Sequence, residues 1–192
     1  RDFNAATMFA AASRALKGYN DELAARALKQ SKRLLKEATE LMAKASQEGG
    51  RRGRNGGGDI SANLQLYIAT GEKQYIDKFN EMLWPMLDRN VNFSLQTALD
   101  AIPYMDEAYK EKLRPYVEKY KEYIERLDEN NPYGLPIGLG NWAGGGSITS
   151  FGTTVCFANK YFPDIVDKSF AYKAAGWLFG CHPYHNYSFV AA

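Results

Sequence analysis

At 192 residues the chain is long enough for one domain with a sizeable core, and 45% hydrophobic with 14% aromatic residues excludes a disordered polymer. A formal net charge of +2 is too small to draw nucleic acid or an anionic membrane surface. No apolar run approaches the roughly 18 residues of a membrane-spanning helix.

The chain opens at Arg1 without Met and carries no signal-peptide pattern, so it reads as a processed or excised piece. Arg51-Arg52-Gly53-Arg54 is its one dense basic cluster, and the glycine-rich context predicts a solvated loop. Two cysteines, Cys156 and Cys181, cannot make a cysteine-only zinc site. Their apolar surroundings predict buried free thiols, and a disulfide between them stays open.

Helical periodicity dominates from the start. Asn4 to Leu16 is alanine-rich and closed by Gly18. Asp21 to Gln47 carries Leu23, Leu28, Leu34, Leu35, Leu41, Met42 and Ala45 at helical spacing, with Asp21 and Glu22 suited to a helix N-terminus. Asp59 to Ala69 predicts a helix stopped at Thr70-Gly71, and Glu72 to Leu87 the next, ending early at Pro85. Phe93 to Ala101 follows. From Met105 to Leu127 the stripe Met105, Tyr109, Leu113, Tyr116, Val117, Tyr120, Ile124 and Leu127 marks a second long amphipathic helix. Ile148 to Tyr161 and Asp164 to Phe179 complete the series.

No run alternates as a strand would, so the fold class is all-α, with about eight helices and short turns between antiparallel neighbours. The hairpin joints Leu66 to Tyr75 and Ala158 to Asp164 recur loosely. Such recurrence suits a solenoid or a closed α/α toroid, and the lack of a strict period favours the toroid.

Two stretches break the helical pattern. Asn131 to Gly146 is glycine-rich and holds Tyr133 and Trp142; Gly180 to Val190 is polar and aromatic and holds Tyr184 and His185. Flat rings beside hydrogen-bonding groups suit sugars, whose pyranose faces are apolar and whose edges carry hydroxyls. Trp142 and Tyr133 are therefore candidates for sugar stacking or for loop packing, and Tyr184 and His185 for lining a site. Trp177, inside an apolar helical run, reads as core. Asp59 follows a glycine-rich loop and reads as an N-cap or a substrate contact. The pairs Glu107/Glu111 and Glu118/Glu122 sit among lysines as solvated surface. His182 and His185, the only histidines, lack the neighbours of a metal site, and no Gly-x-Ser-x-Gly elbow is present.

The run Tyr172-x-x-x-x-Trp177-Leu178-Phe179-Gly180-Cys-His-Pro183-Tyr-His-Asn-Tyr-Ser188-Phe189-Val190 resembles the Tyr-Leu-Leu-Gly-x-Asn-Pro…Ser-Phe-Val-Thr-Gly stretch of glycoside hydrolase family 9, the inverting cellulases and their relatives. His182 replaces the usual Asn before Pro183, and Ala191 stands where Thr is common, which suggests a divergent branch. Asn141-Trp142-Ala143-Gly144 is similar to that family's Trp-Gly-Ser loop, and Asp59 to Tyr67 to its Asp-Glu-Leu…Leu-Tyr helix start. Leu66-Tyr67-x-x-Thr70-Gly71-x-x-x-Tyr75 resembles the hairpin of helical-barrel glycosidases.

The resemblance implies an α/α toroid of six helical hairpins with a cleft across one end, an Asp-Ala-Gly-Asp base and a Glu acid near the C-terminus. Neither catalytic motif can be matched, so the catalytic residues are expected outside this chain. Residues 1–192 are then expected to be the middle-to-late part of a single catalytic domain, inactive alone. The implied protein is an endoglucanase-like O-glycosyl hydrolase, secreted or periplasmic, acting on β-linked glucan without a cofactor. Its partners would be an oligosaccharide or polysaccharide and the rest of its own catalytic domain, with no nucleic acid and no membrane. A non-catalytic helical-repeat binding module and a polysaccharide lyase on a similar toroid are the competing readings.

Overall fold

The computed structural model describes residues 2–47, 57–131, 133–136 and 144–180. Among these residues there are eight α-helices, one short 3₁₀ turn and no strand. They form two units, Arg1–Asp88 and Arg89–Ala192.

The first unit holds α1 (Asp2–Leu16), α2 (Asp21–Gln47), α3 (Gly58–Thr70) and α4 (Lys73–Arg89). Helix α1 packs along both α2 and α3. Its buried residues are Ala6, Ala10 and Ser13, while α2 buries Ala24, Ala27, Ser31, Leu35 and Ala38. Small side chains let the two backbones come close enough for the Ser31 hydroxyl to donate to the Ala6 carbonyl of α1 at 2.7 Å. This row corrects the leucine stripe expected from the sequence. Leu23 is 41% and Leu41 60% exposed; Leu23 instead lines a shallow groove with Phe9 and Leu16. Periodicity counted the large apolar residues, whereas close helix packing selected the small ones.

Helix α4 does not stop at Pro85. It continues to Arg89, with Phe79, Leu83 and Leu87 buried along one face. Pro85 is exposed, and so is Glu81, whose carbonyl loses its helical donor. Water can serve that carbonyl, and burial of Leu87 holds the last turn. Lys32 of α2 pairs with Glu72 in the turn between α3 and α4.

The second unit holds α5 (Val91–Ala101), the 3₁₀ turn Ile102–Tyr104, α6 (Glu107–Asn130), α7 (Gly144–Tyr161) and α8 (Ser169–Leu178). Helix α5 packs against α6 and α7, and α7 against α8. Asp106 caps α6 by accepting from the Tyr109 backbone N–H at 2.9 Å. The expected stripe is buried at Tyr109, Leu113, Val117, Tyr120 and Ile124. Tyr109 sends its hydroxyl to the Ala98 carbonyl of α5 at 3.0 Å, and burial pushes its pKa up. Cys156, expected to be buried, is exposed. The buried row of α7 runs through Ile148, Phe151, Val155 and Ala158, which leaves position 156 on the other side.

Helix α8 begins at Ser169 rather than Asp164. The intervening residues form a pinned turn: Phe162 and Val166 are buried, and Asn159 donates its amide to the Val166 carbonyl at 2.8 Å. Asp164 serves α6 instead of capping α8. It accepts from Arg114 Nη1 at 2.6 Å, while the guanidinium lies over the Phe162 ring at 5.5 Å.

Two predictions test this packing. Ala10→Leu should destabilise the first unit by about 1–3 kcal/mol through overpacking, whereas Leu41→Ala should shift stability by less than about 0.5 kcal/mol; urea unfolding followed by circular dichroism measures both. The hydrogen bond from Arg114 holds the Asp164 carboxyl below its ordinary value. Its stabilisation is therefore complete above the unfolded aspartate pKa of about 3.9 and fades as pH falls through the lower, folded value. Asp164→Asn should lower the urea midpoint at pH 7, and the gap from the unsubstituted protein should close in strong acid.

Candidate functional site

Helix α6 ends where Asn131 turns to extended backbone, its N–H donating to the Leu127 carbonyl at 3.1 Å. The Asn131 side chain then folds the next residues around itself. Its Oδ1 accepts from the backbone N–H groups of Tyr133 at 3.1 Å and Leu135 at 3.3 Å, and its Nδ2 donates to the Leu135 carbonyl at 2.8 Å. Gly134 supplies the left-handed residue that this turn needs, at φ +60°, and donates to the Asn131 carbonyl at 3.1 Å. Leu135 is fully buried and fastens the turn to the core.

The turn presents Tyr133 to α8. The Tyr133 and Trp177 rings meet edge to face, with centroids 4.6 Å apart and planes at 73°. Both are half-buried. Trp177 lies in the last turn of α8, which packs on α7 and buries Ala171 and Ala174. A Cβ at Gly152 of α7 would lie only 3.1 Å from that of Ala174, so glycine permits this approach. Just beyond Trp177, Gly180 takes φ +96° and donates to the Trp177 carbonyl at 3.2 Å.

The structure thus joins the entrances of the two stretches that stood out in the sequence, one at Asn131–Leu135 and the other at Trp177–Gly180. Tyr133 is where both meet. Trp177, read from sequence as core, is a half-buried partner of that tyrosine. Its apolar helical surroundings hid this, and only the Tyr-Gly turn in Asn131-Pro-Tyr-Gly hinted that a ring would be offered outward. Trp142, Tyr184 and His185 lie outside the described residues, as do Arg51 to Arg54, Cys181 and His182.

Asp59 belongs to the first unit. The N-cap of α3 is Gly57, at φ +76°, so Asp59 is the second helical residue rather than the cap. Its Oδ1 accepts from the Ile60 N–H at 2.9 Å, and its carbonyl accepts from Asn63 Nδ2 at 2.9 Å. There it complements the helix dipole. Glu107, Glu111, Glu118 and Glu122 are all exposed. Asp100 of α5 is a different kind of carboxylate: burial pushes its pKa up, partly countered by a hydrogen bond from Gln96 Nε2 at 2.7 Å. Nothing in its local sequence distinguishes it from a surface aspartate. Among the described residues no three His, Cys, Asp or Glu side chains gather as a metal would require, and no helix is long and apolar enough to cross a membrane.

Two aromatic rings set nearly at right angles on a rigid turn and a helix end, each keeping part of its surface in water, form a corner with apolar faces and polar edges. That chemistry fits a polyhydroxylated ring. No curated protein and no solved structure matches the chain. The model of glycosyl hydrolase family 9 matches residues 3–192. The helical architecture agrees with that match, since the family is built as an α/α barrel and its members, usually extracellular, are glycoside hydrolases acting on carbohydrate. The chain belongs to glycosyl hydrolase family 9.

Proposed function

We propose that the parent protein hydrolyses β-linked glucan or a related oligosaccharide with inversion at the anomeric carbon. The observation that carries this reading is the Tyr133–Trp177 corner, at the mouth of both loop stretches in a chain of this family. Substrate would lie along Tyr133, with Trp142 supplied by the first stretch and Tyr184 and His185 by the second. Asp59, whose carboxylate turns onto its own helix, is the weakest member of the expected set.

Inversion needs one carboxylic acid to protonate the leaving oxygen and one carboxylate to activate water on the opposite ring face, about 6.5–9.5 Å apart. The sequence contains no Asp-Ala-Gly-Asp, and the glutamate pairs of α6 are solvated among lysines. In this reading acid and base come from other parts of the parent protein, and residues 1–192 supply sugar contacts to a shared catalytic domain. A secreted or periplasmic location belongs to the same reading.

The test is to incubate the full-length protein with β-glucan, xyloglucan and chitosan oligomers and follow reducing ends and the first-formed anomer by proton NMR. Release of reducing sugar as the α-anomer is expected. Binding without release would favour a non-catalytic module, ultraviolet-absorbing unsaturated ends a lyase, and a β-anomer a retaining mechanism; each would overturn the proposal.

A further inference from the structure

Of the expected sugar contacts, Tyr133 lies among the described residues of the second unit. Its path is set two residues earlier. Asn131 precedes Pro132, and a residue before proline is steered away from helical backbone. It takes φ −155° and ψ 150°, which ends α6. Proline offers no N–H, so the Asn131 carboxamide reaches past it. Oδ1 accepts from the Tyr133 N–H at 3.1 Å and the Leu135 N–H at 3.3 Å, and Nδ2 donates to the Leu135 carbonyl at 2.8 Å. The side chain thus grips the backbone on either side of Gly134, whose φ of +60° completes the turn. Buried Leu135 fixes the far end.

We infer that Asn131 is a positioning residue for saccharide binding, its carboxamide holding the Tyr133 ring in place for a pyranose face. The inference rests on the proposed sugar site. A ring stacks only where its face is presented, and a small misplacement costs more than the bond that was lost. The geometry also selects the residue type. An ionised aspartate accepts from both N–H groups but has no donor for the Leu135 carbonyl, whereas a carboxamide supplies acceptor and donor from one rigid plane. The fold of the unit does not need these bonds, because the α6 stripe from Tyr109 to Ile124 is buried ahead of them.

Two measurements on the full-length protein test this. The first is kinetic, with a β-glucan oligosaccharide as substrate. Asn131→Ala and Tyr133→Ala should each raise KM about tenfold while kcat changes less than about threefold. The double variant should be no worse than either single one, because both act through the same ring. Asn131→Asp, which keeps the acceptors and loses the donor, should raise KM about threefold. The second is amide hydrogen exchange. Asn131→Ala should accelerate exchange about three- to tenfold at Tyr133 and Leu135, and also at Gly134. The Gly134 N–H is bonded to the Asn131 main-chain carbonyl, which the substitution retains. Acceleration there therefore marks release of the whole turn.

An unchanged KM in Asn131→Ala beside a raised one in Tyr133→Ala would overturn the inference and leave the saccharide site standing. So would losses that multiply in the double variant, or a Gly134 amide as protected as before. An unchanged KM in Tyr133→Ala would remove that ring from the sugar site, and the inference with it. Should Asn131→Ala fail to fold, Asn131→Asp decides, since its KM must rise while its circular dichroism matches the unsubstituted protein. A wild-type protein that binds the oligosaccharide without cleaving it would sink the proposed function; the same fold-changes would then be read in Kd by calorimetry. One that neither binds nor cleaves would sink both.

Discussion

Everything local to the candidate site depends on the amide of Asn131. It makes three hydrogen bonds to the backbone of Tyr133 and Leu135, just past the end of α6. Each such bond contributes roughly 1 kcal/mol net, and leaving the same groups buried and unpaired would cost more. The amide therefore sets the path of the chain before any ring contact is made. Tyr133 is directed by that path rather than by its own hydrophobicity, and the contact with Trp177 adds about 0.5–1.5 kcal/mol on top. The order of dependence is amide, turn, ring, and only then whatever the ring recognises.

Helix packing within each unit follows a different rule. Close approach is made by small residues at both junctions, Ala6, Ala10 and Ser31 between α1 and α2 and Gly152 with Ala174 between α7 and α8. Short side chains surrender little rotamer freedom on burial and let backbones approach closely. They also leave little room for adjustment, because a seam with no side-chain slack converts an added methyl group into a backbone shift. In the second unit, the stiffness of the α7–α8 seam is what a site borne on turns needs. The long stripe of α6, with Leu113, Val117 and Ile124 fully buried, adds larger apolar side chains to the core of the second unit.

Helix number and placement were largely legible in the sequence, because amphipathic periodicity and glycine stops are local signals. Asp21–Gln47 was readable to the residue. The departures came where a tertiary demand outweighed a local one. Pro85 did not end α4, since Leu87 had a core to enter; Asp164 did not open α8, since Arg114 claimed it; Leu23 and Leu41 did not face inward, since alanines packed closer. At the candidate site the two unusual stretches stood out by composition, and Tyr133 with them. The role of Trp177 did not, because its significance lies in a partner more than forty positions away and no spacing rule reaches that far. The sequence motif shared with family 9 located the region without revealing the contact.

The knot around Asn131 has one further consequence, which concerns chemical durability. Asparagine ages when the nitrogen of the following residue attacks the side-chain carbonyl, closing a cyclic imide that reopens mostly as isoaspartate. The residue after Asn131 is Pro132, whose ring nitrogen carries no hydrogen and cannot complete that cyclisation. Asn55, followed by Gly56, has no such protection. The side chain that orders the turn is thus shielded from the commonest spontaneous lesion of its kind, and the turn it holds should outlast the asparagine–glycine step elsewhere in the same sequence.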